Sequence, residues 1–213
     1  MGARFLDDDA RTAFKSAVET IEGGSGVEVV VALRRRSAAY LHANFVIGAG
    51  VAFAGLAAML FAKTSFSILA ILFDPFIVGL AAAGIVHWLP GVKRVLTLPA
   101  TRAMHVAAAA RATFVERGVH VTMDRSGMLV YISWLEQRVA IVVDVGLARA
   151  WPADEVSAAE AALTTAVAEG GASVARSLER FAPRLAALIP RRDGDINELP
   201  DAIDSDHHQD RAS

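Results

Sequence analysis

Asp124 and Asp144 are the carboxylates whose placement could do chemistry. Asp124 precedes one β-rich run and Asp144 closes the next, so a hairpin would bring them to neighbouring strand ends. Asp7, Asp8 and Asp9 stand together near the start of the chain. Gathered carboxylates bind hard cations through oxygen ligands. Calcium is therefore the candidate cofactor, with Asp124, Asp144, Asp7 and Asp8 as candidate ligands, provided the sheet order unites the two groups. The competing role is structural. Asp7–Asp9 stands where a helix opens, and carboxylates there satisfy unpaired N–H groups and complement the dipole.

Other chemistry is weaker. Gly48-Ala49-Gly50 lacks the third glycine of a dinucleotide fingerprint and lies in an apolar stretch. Ser126 has Asp124 and Met128 two residues away on either side, where a nucleophile elbow needs glycines, so Asp124-Arg125-Ser126-Gly127 reads as a β-turn. His42 and His87 fall near equivalent ends of two apolar stretches and suit interfacial packing. His105 and His120 lack ligand spacing, and His207-His208 lies in an acidic tail. With no cysteine, thiolate metal sites, disulfides and cysteine nucleophiles are excluded. A net charge of −2 gives no global field for nucleic acid.

The elements that must position these residues include a membrane-like insertion. The 213-residue chain is 54% hydrophobic, and the excess is concentrated in its middle. Ala43 to Ala62 carries no charge, and about 20 apolar residues span a bilayer. A second apolar stretch, Ser65 to Leu89, is broken by Asp74-Pro75. The cost of a mid-bilayer Asp places Asp74 at the far interface, with the span running on to about Gly91 and Thr64–Phe73 as turn and interfacial segment. A continuous second span kinked at Pro75 is the competing register. The chain before the first stretch does not read as a signal peptide. Arg34, Arg35 and Arg36 precede the hairpin, Lys93, Arg94 and Arg102 follow it, and only Lys63 lies between. Both termini are therefore expected in the cytoplasm. Tyr40 and Trp88 fall at the same interface, and Arg34–Arg36 could also meet anionic head groups.

Outside the hairpin the pattern is α/β. Residues 7–22 repeat apolar positions at helical spacing, and Val27–Leu33 reads as an interior strand. Residues 100–117 form a helix closed by Gly118. Met128–Leu135 and Arg138–Val145 read as a hairpin about Glu136-Gln137. Residues 153–169 and 172–189 read as helices, the second kinked or broken at Pro183. From Arg191 the chain is polar, acidic and expected to be disordered.

FLDDDARTAFKSAVETIEGGSGVEVVVAL near the N-terminus and ARATFVERGVHVTMDRSGMLVYISWLEQRVAIVVDVG over Ala110–Gly146 carry a family resemblance. The second holds a helix ending in Phe and Gly, then D-x-x-G-L-L, two strands and D-x-G, with Met128 at the first leucine position. A later tryptophan-helix-glycine segment and Asn197–Asp201 (NELPD) also fit. The chain resembles the TPM domain family, in a bacterial form with a transmembrane hairpin. The resemblance covers nearly all of the chain outside the spans. It implies an α/β sandwich: a small mixed sheet between helices, here interrupted by the two-helix transmembrane hairpin. The expected domains are 1–37 and 93–190 as two parts of the TPM-like domain, 38–92 as the hairpin and 191–213 as the tail.

The resemblance also implies a role in assembly, maintenance or regulation of membrane complexes, with weak acid phosphatase activity and calcium binding ascribed to some members. Many relatives are exported, whereas this chain reads as having its N-terminus inside. The expectation is a non-catalytic, multi-pass module of the bacterial inner membrane. Its partners would be the bilayer and another membrane protein, with self-association through the small-residue helices as a further possibility. A metal-dependent acid phosphatase is the alternative.

Overall fold

The computed structural model describes residues 5–38, 41–87, 98–122, 124–192 and 203–205. The chain divides into an α/β unit, residues 1–37 with 103–213, and a helical unit of residues 38–102.

In the α/β unit, helix α1 (Asp8–Gly24) starts at Asp7, whose Oδ1 accepts from the Ala10 amide at 2.8 Å. Asp8 and Asp9 occupy the first turn, where negative charge suits the dipole. Ala10, Phe14, Ala17, Val18 and Ile21 form its buried stripe. Strand β1 (Val29–Arg34) is buried from Val29 to Leu33, as a strand covered on both faces must be. Helix α4 (Pro99–Glu116) is followed by Gly118 at φ +65°. Strands β2 (Met128–Ser133) and β3 (Arg138–Val143) precede four helices: α5 (Val145–Ala150), α6 (Ala153–Val167), α7 (Gly171–Glu179) and α8 (Ala182–Leu188). Strand β4 is Asp204–Ser205.

The sheet order is β3-β2-β1-β4. β1 runs parallel to β2, with Val29 opposite Met128, and parallel to β4; β2 and β3 are antiparallel. The sheet is therefore mixed and lies between two helical layers. Val29, Val31, Met128, Val130 and Ile132 face α1 and the C-terminal helices. Val30, Ala32, Leu129 and Tyr131 face Val106, Ala110 and Phe114 of α4. This is the period-two division of a strand between two cores.

Two expectations need correction, on the hairpin turn and on the tail, and a third is sharpened. Glu136-Gln137 is not a two-residue turn: residues 134–137 all lie in it and the strands end earlier, at Ser133 and Val143. Gln137 supplies the left-handed residue at φ +51°. The break expected near Pro183 is present: residues 172–189 form two helices, interrupted at Arg180-Phe181, with Pro183 in the first turn of α8 where its missing N–H costs nothing. The tail is not disordered throughout, because Asp204-Ser205 pairs with Ala32 and Leu33. Asp204 meets two cations there, Arg34 and Arg117, and its backbone carbonyl accepts from Arg34 Nη1 at 2.9 Å. Local composition favoured disorder, but an open strand edge flanked by arginines outweighs it.

The helical unit contains α2 (Leu41–Phe61) and α3 (Ile68–His87), each long and apolar enough to cross a membrane. Their large side chains are outside: Phe61 is 88% and Ile68 84% exposed. α3 begins at Ile68 and continues through Pro75 as one helix, so Ile68–Phe73 is helical rather than part of the turn. A helix unbroken at Pro75 is the geometry that the competing register requires.

The helices approach at glycines. A Cβ on Gly79 would stand 2.6 Å from the Gly48 carbonyl oxygen and 2.8 Å from Ala52 Cβ. Such close backbone contact needs small residues. Gly79→Leu should therefore destabilise the hairpin by about 2 kcal/mol, the cost typical of overpacking. Denaturation in detergent micelles checks this, and an unchanged midpoint would remove the packing role.

Candidate functional site

The two aspartate motifs meet at one end of the β2–β3 hairpin. The antiparallel register sets Met128 opposite Val143, so Asp124-Arg125-Ser126-Gly127 enters beside the exit at Asp144-Val145-Gly146. The Asp144 amide donates to the Gly127 carbonyl at 2.8 Å, and the Gly146 amide to the Arg125 carbonyl at 2.9 Å. The glycines permit this approach. A methyl on Gly146 would overlap the Asp124 and Arg125 carbonyl oxygens, and one on Gly127 the Val119 carbonyl. The Thr122 hydroxyl holds the loop from within, accepting from the Ser126 amide at 3.0 Å. Ser126 is buried in this turn.

Asp144 is only 3% exposed and caps α5 by accepting from the Val145 amide at 2.7 Å. Its counter-ion is Arg125, with Nε 2.8 Å from Oδ2 and Nη2 3.1 Å from Oδ1. Arg125 adopts φ +54°, which lets its carbonyl meet the first turn of α5 while its guanidinium returns to Asp144. Asp124 is half-exposed and pairs with Arg192 at 2.7 Å. Asp7 caps α1, and Asp7–Asp9 are exposed.

This donor set does not fit a calcium ion. Calcium takes six to eight oxygens. Here each motif carboxylate already faces an arginine, and Asp144 also serves a helix amide. Among the described residues no three His, Cys, Asp or Glu side chains are placed to share a metal. The arrangement is a junction of paired charges at one end of the hairpin.

Arg125→Ala would remove the guanidinium from the buried Asp144, which would still accept from the Val145 amide. Because Arg125 is 53% exposed, the expected loss is about 2 kcal/mol rather than the full cost of breaking a buried pair. Asp144→Asn keeps a capping oxygen and should lose less. Denaturant unfolding of both variants checks the order.

Sequence reasoning brought Asp124 and Asp144 to one end of the hairpin, but missed both arginines. It also missed Glu136, a carboxylate only 1% exposed. Glu136 Oε1 accepts from the Ser37 amide at 3.0 Å, and Oε2 from the Ser133 hydroxyl. Of the three arginines before the hairpin, Arg34 is drawn onto Asp204, while Arg35 and Arg36 are exposed. His120 packs beside Phe114, with ring centroids 6.2 Å apart. Tyr40, Trp88, Lys93, Arg94, Asn197–Asp201 and His207-His208 lie outside the described residues, as do the side chains of His42 and His87.

No protein-family model and no curated protein matches the sequence. Among solved structures, the fold is similar to the NMR structure of the BA42 protein from the psychrophilic bacterium Bizionia argentinensis. The TM-score is 0.56 at 15% identity, covering 94% of this chain and 95% of that one. At this identity the likeness is one of fold.

Proposed function

We propose that the protein is a membrane-anchored, TPM-like interaction module that assists assembly, maintenance or regulation of a membrane protein complex. The observation that carries this reading is the exposed hairpin inserted into an α/β unit. Phe45, Phe53, Phe61, Ile68, Phe76 and Leu80 are all at least 60% exposed. Soluble monomers rarely present apolar patches beyond a few hundred Å². A helix of 20 residues rises about 30 Å, the thickness of the hydrocarbon core, so lipid is the cover these helices suit. The phosphatase alternative draws no support from the arginine-paired aspartates. The arginines flanking the hairpin, against Lys63 alone in its turn, support cytoplasmic termini at the bacterial inner membrane.

Crosslinking of the full chain in intact membranes tests the function. Adducts with another membrane protein are expected, and recovery of self-adducts alone overturns the reading. Orientation is tested in the cysteine-free background with Ser65→Cys and Ala162→Cys, two exposed positions. In intact cells an impermeant thiol reagent should label only Ser65→Cys. Labelling of Ala162→Cys alone would place the α/β unit outside.

A further inference from the structure

The hairpin carries one charge inside its apolar length. Asp74 lies within α3 and is exposed. Its depth follows from the helix pairing. A Cβ on Gly55 would lie 3.9 Å from Pro75, and Gly48 meets Gly79, so Asp74 is nearly level with Gly55. Both Phe61 on α2 and Ile68 on α3 lie six residues closer to the turn, a rise of about 9 Å. Between that level and the turn stand Leu60, Phe61, Ile68, Leu69, Leu72 and Phe73, each at least half exposed. A bilayer boundary at Asp74 would leave all six in water. It would also leave only about 20 Å of α3 from Pro75 to His87, against a hydrocarbon core of about 30 Å. Asp74 therefore belongs inside the apolar slab, and its short side chain cannot reach across about 9 Å to the interface.

A carboxylate at this depth is costly unless it has a polar partner. Among the described residues the two helices supply no cation there. Neither Asn44–Phe61 nor Ile68–Ile85 contains lysine, arginine or histidine, so a second copy packed at the same level offers no cation either. Ile77 and Val78 lie three and four residues beyond Asp74 on the same helix face and are exposed.

We propose that the Asp74–Ile77–Val78 face of α3 docks a transmembrane helix of a partner protein bearing a lysine or arginine about 9 Å inside the turn-side boundary. The proposal rests on the membrane reading above and specifies the chemistry of the partner. Apolar side chains give the contact area, and the buried charge pair selects the helix and its depth.

The test uses the full chain, acceptor-labelled through Ser65→Cys, in phosphatidylethanolamine–phosphatidylglycerol vesicles. The probes are two donor-labelled leucine-alanine transmembrane peptides with identical flanks, one with a single arginine at the stated depth and one without. Energy transfer should show about tenfold tighter association with the arginine peptide. Asp74→Leu should abolish that preference and Asp74→Glu should retain it. Equal association of the two peptides, or a preference that survives Asp74→Leu, overturns the docking site alone. Failure of the wild-type chain to float with the vesicles overturns the membrane reading, and the docking site with it.

Discussion

Replacing Gly127 by alanine should destabilise the α/β unit by about 3 kcal/mol or more, because the added methyl meets backbone that has nowhere to go. It would overlap the Val119 carbonyl oxygen and crowd Val119 Cγ1 at 3.0 Å. Val119 is fully buried, and its amide donates to the Phe114 carbonyl at 3.1 Å. Gly127 is fixed on its other side as well. Its carbonyl holds the Asp144 amide, and the next residue, Met128, donates to Glu28 at 2.7 Å. Relief would require moving either the start of β2 or the turn after α4, both in the core. Gly24→Ala is the control, since a Cβ there meets nothing within 4 Å at the end of α1. It should be neutral or slightly stabilising. Denaturant unfolding of the full chain in micelles distinguishes them. A Gly127→Ala variant within about 1 kcal/mol of wild type would show that the loop relaxes and that packing does not dictate this glycine.

The readable parts of the sequence are those where local pattern and tertiary demand agree. The stripe of α1 and its Asp7 cap, the apolar β1 and the two hairpin helices each carry their own signal. The hidden parts depend on residues brought together from afar. Helix α5 is six residues directly after β3, and Val145 continues the apolar run of that strand. Only the Asp144 cap marks the change, and the same residue also reads as a strand end. Strand β4 is two residues in a polar tail, held by Arg34 and Arg117 from other parts of the chain. The candidate site divides in the same way. The alternation around residues 128–143 brings Asp124 and Asp144 to one end of the hairpin, but nothing local chooses Arg125 and Arg192 as their counter-ions. That choice changes the chemistry, because carboxylates legible as cation ligands become halves of ion pairs.

Glu136 is the sharpest case, and Glu136→Ala should cost about 3 kcal/mol. In sequence it is half of a polar Glu-Gln pair in a turn, where exposure is the ordinary outcome. In the fold it is buried because Ser37, 99 residues earlier, reaches it just beyond β1. Parallel pairing carries the chain there: beyond the ladder, the Trp134 and Leu135 amides donate to the Arg34 and Arg35 carbonyls, each at 3.0 Å. The β2–β3 turn is thus laid against the segment leaving β1, and Glu136 closes the gap. Alanine removes the acceptor of the Ser37 amide and the Ser133 hydroxyl and leaves a cavity between them. Glutamine keeps one acceptor oxygen but turns an NH2 toward the second donor, so its loss should be about half as large. Two measurements separate this role from simple loss of volume. Hydrogen exchange at the Ser37 amide should accelerate in Glu136→Ala beyond any change at α6. A double-mutant cycle with Ser133→Ala should give a coupling of about 1 kcal/mol, and additivity within about 0.3 kcal/mol would mean that the hydroxyl contact contributes nothing.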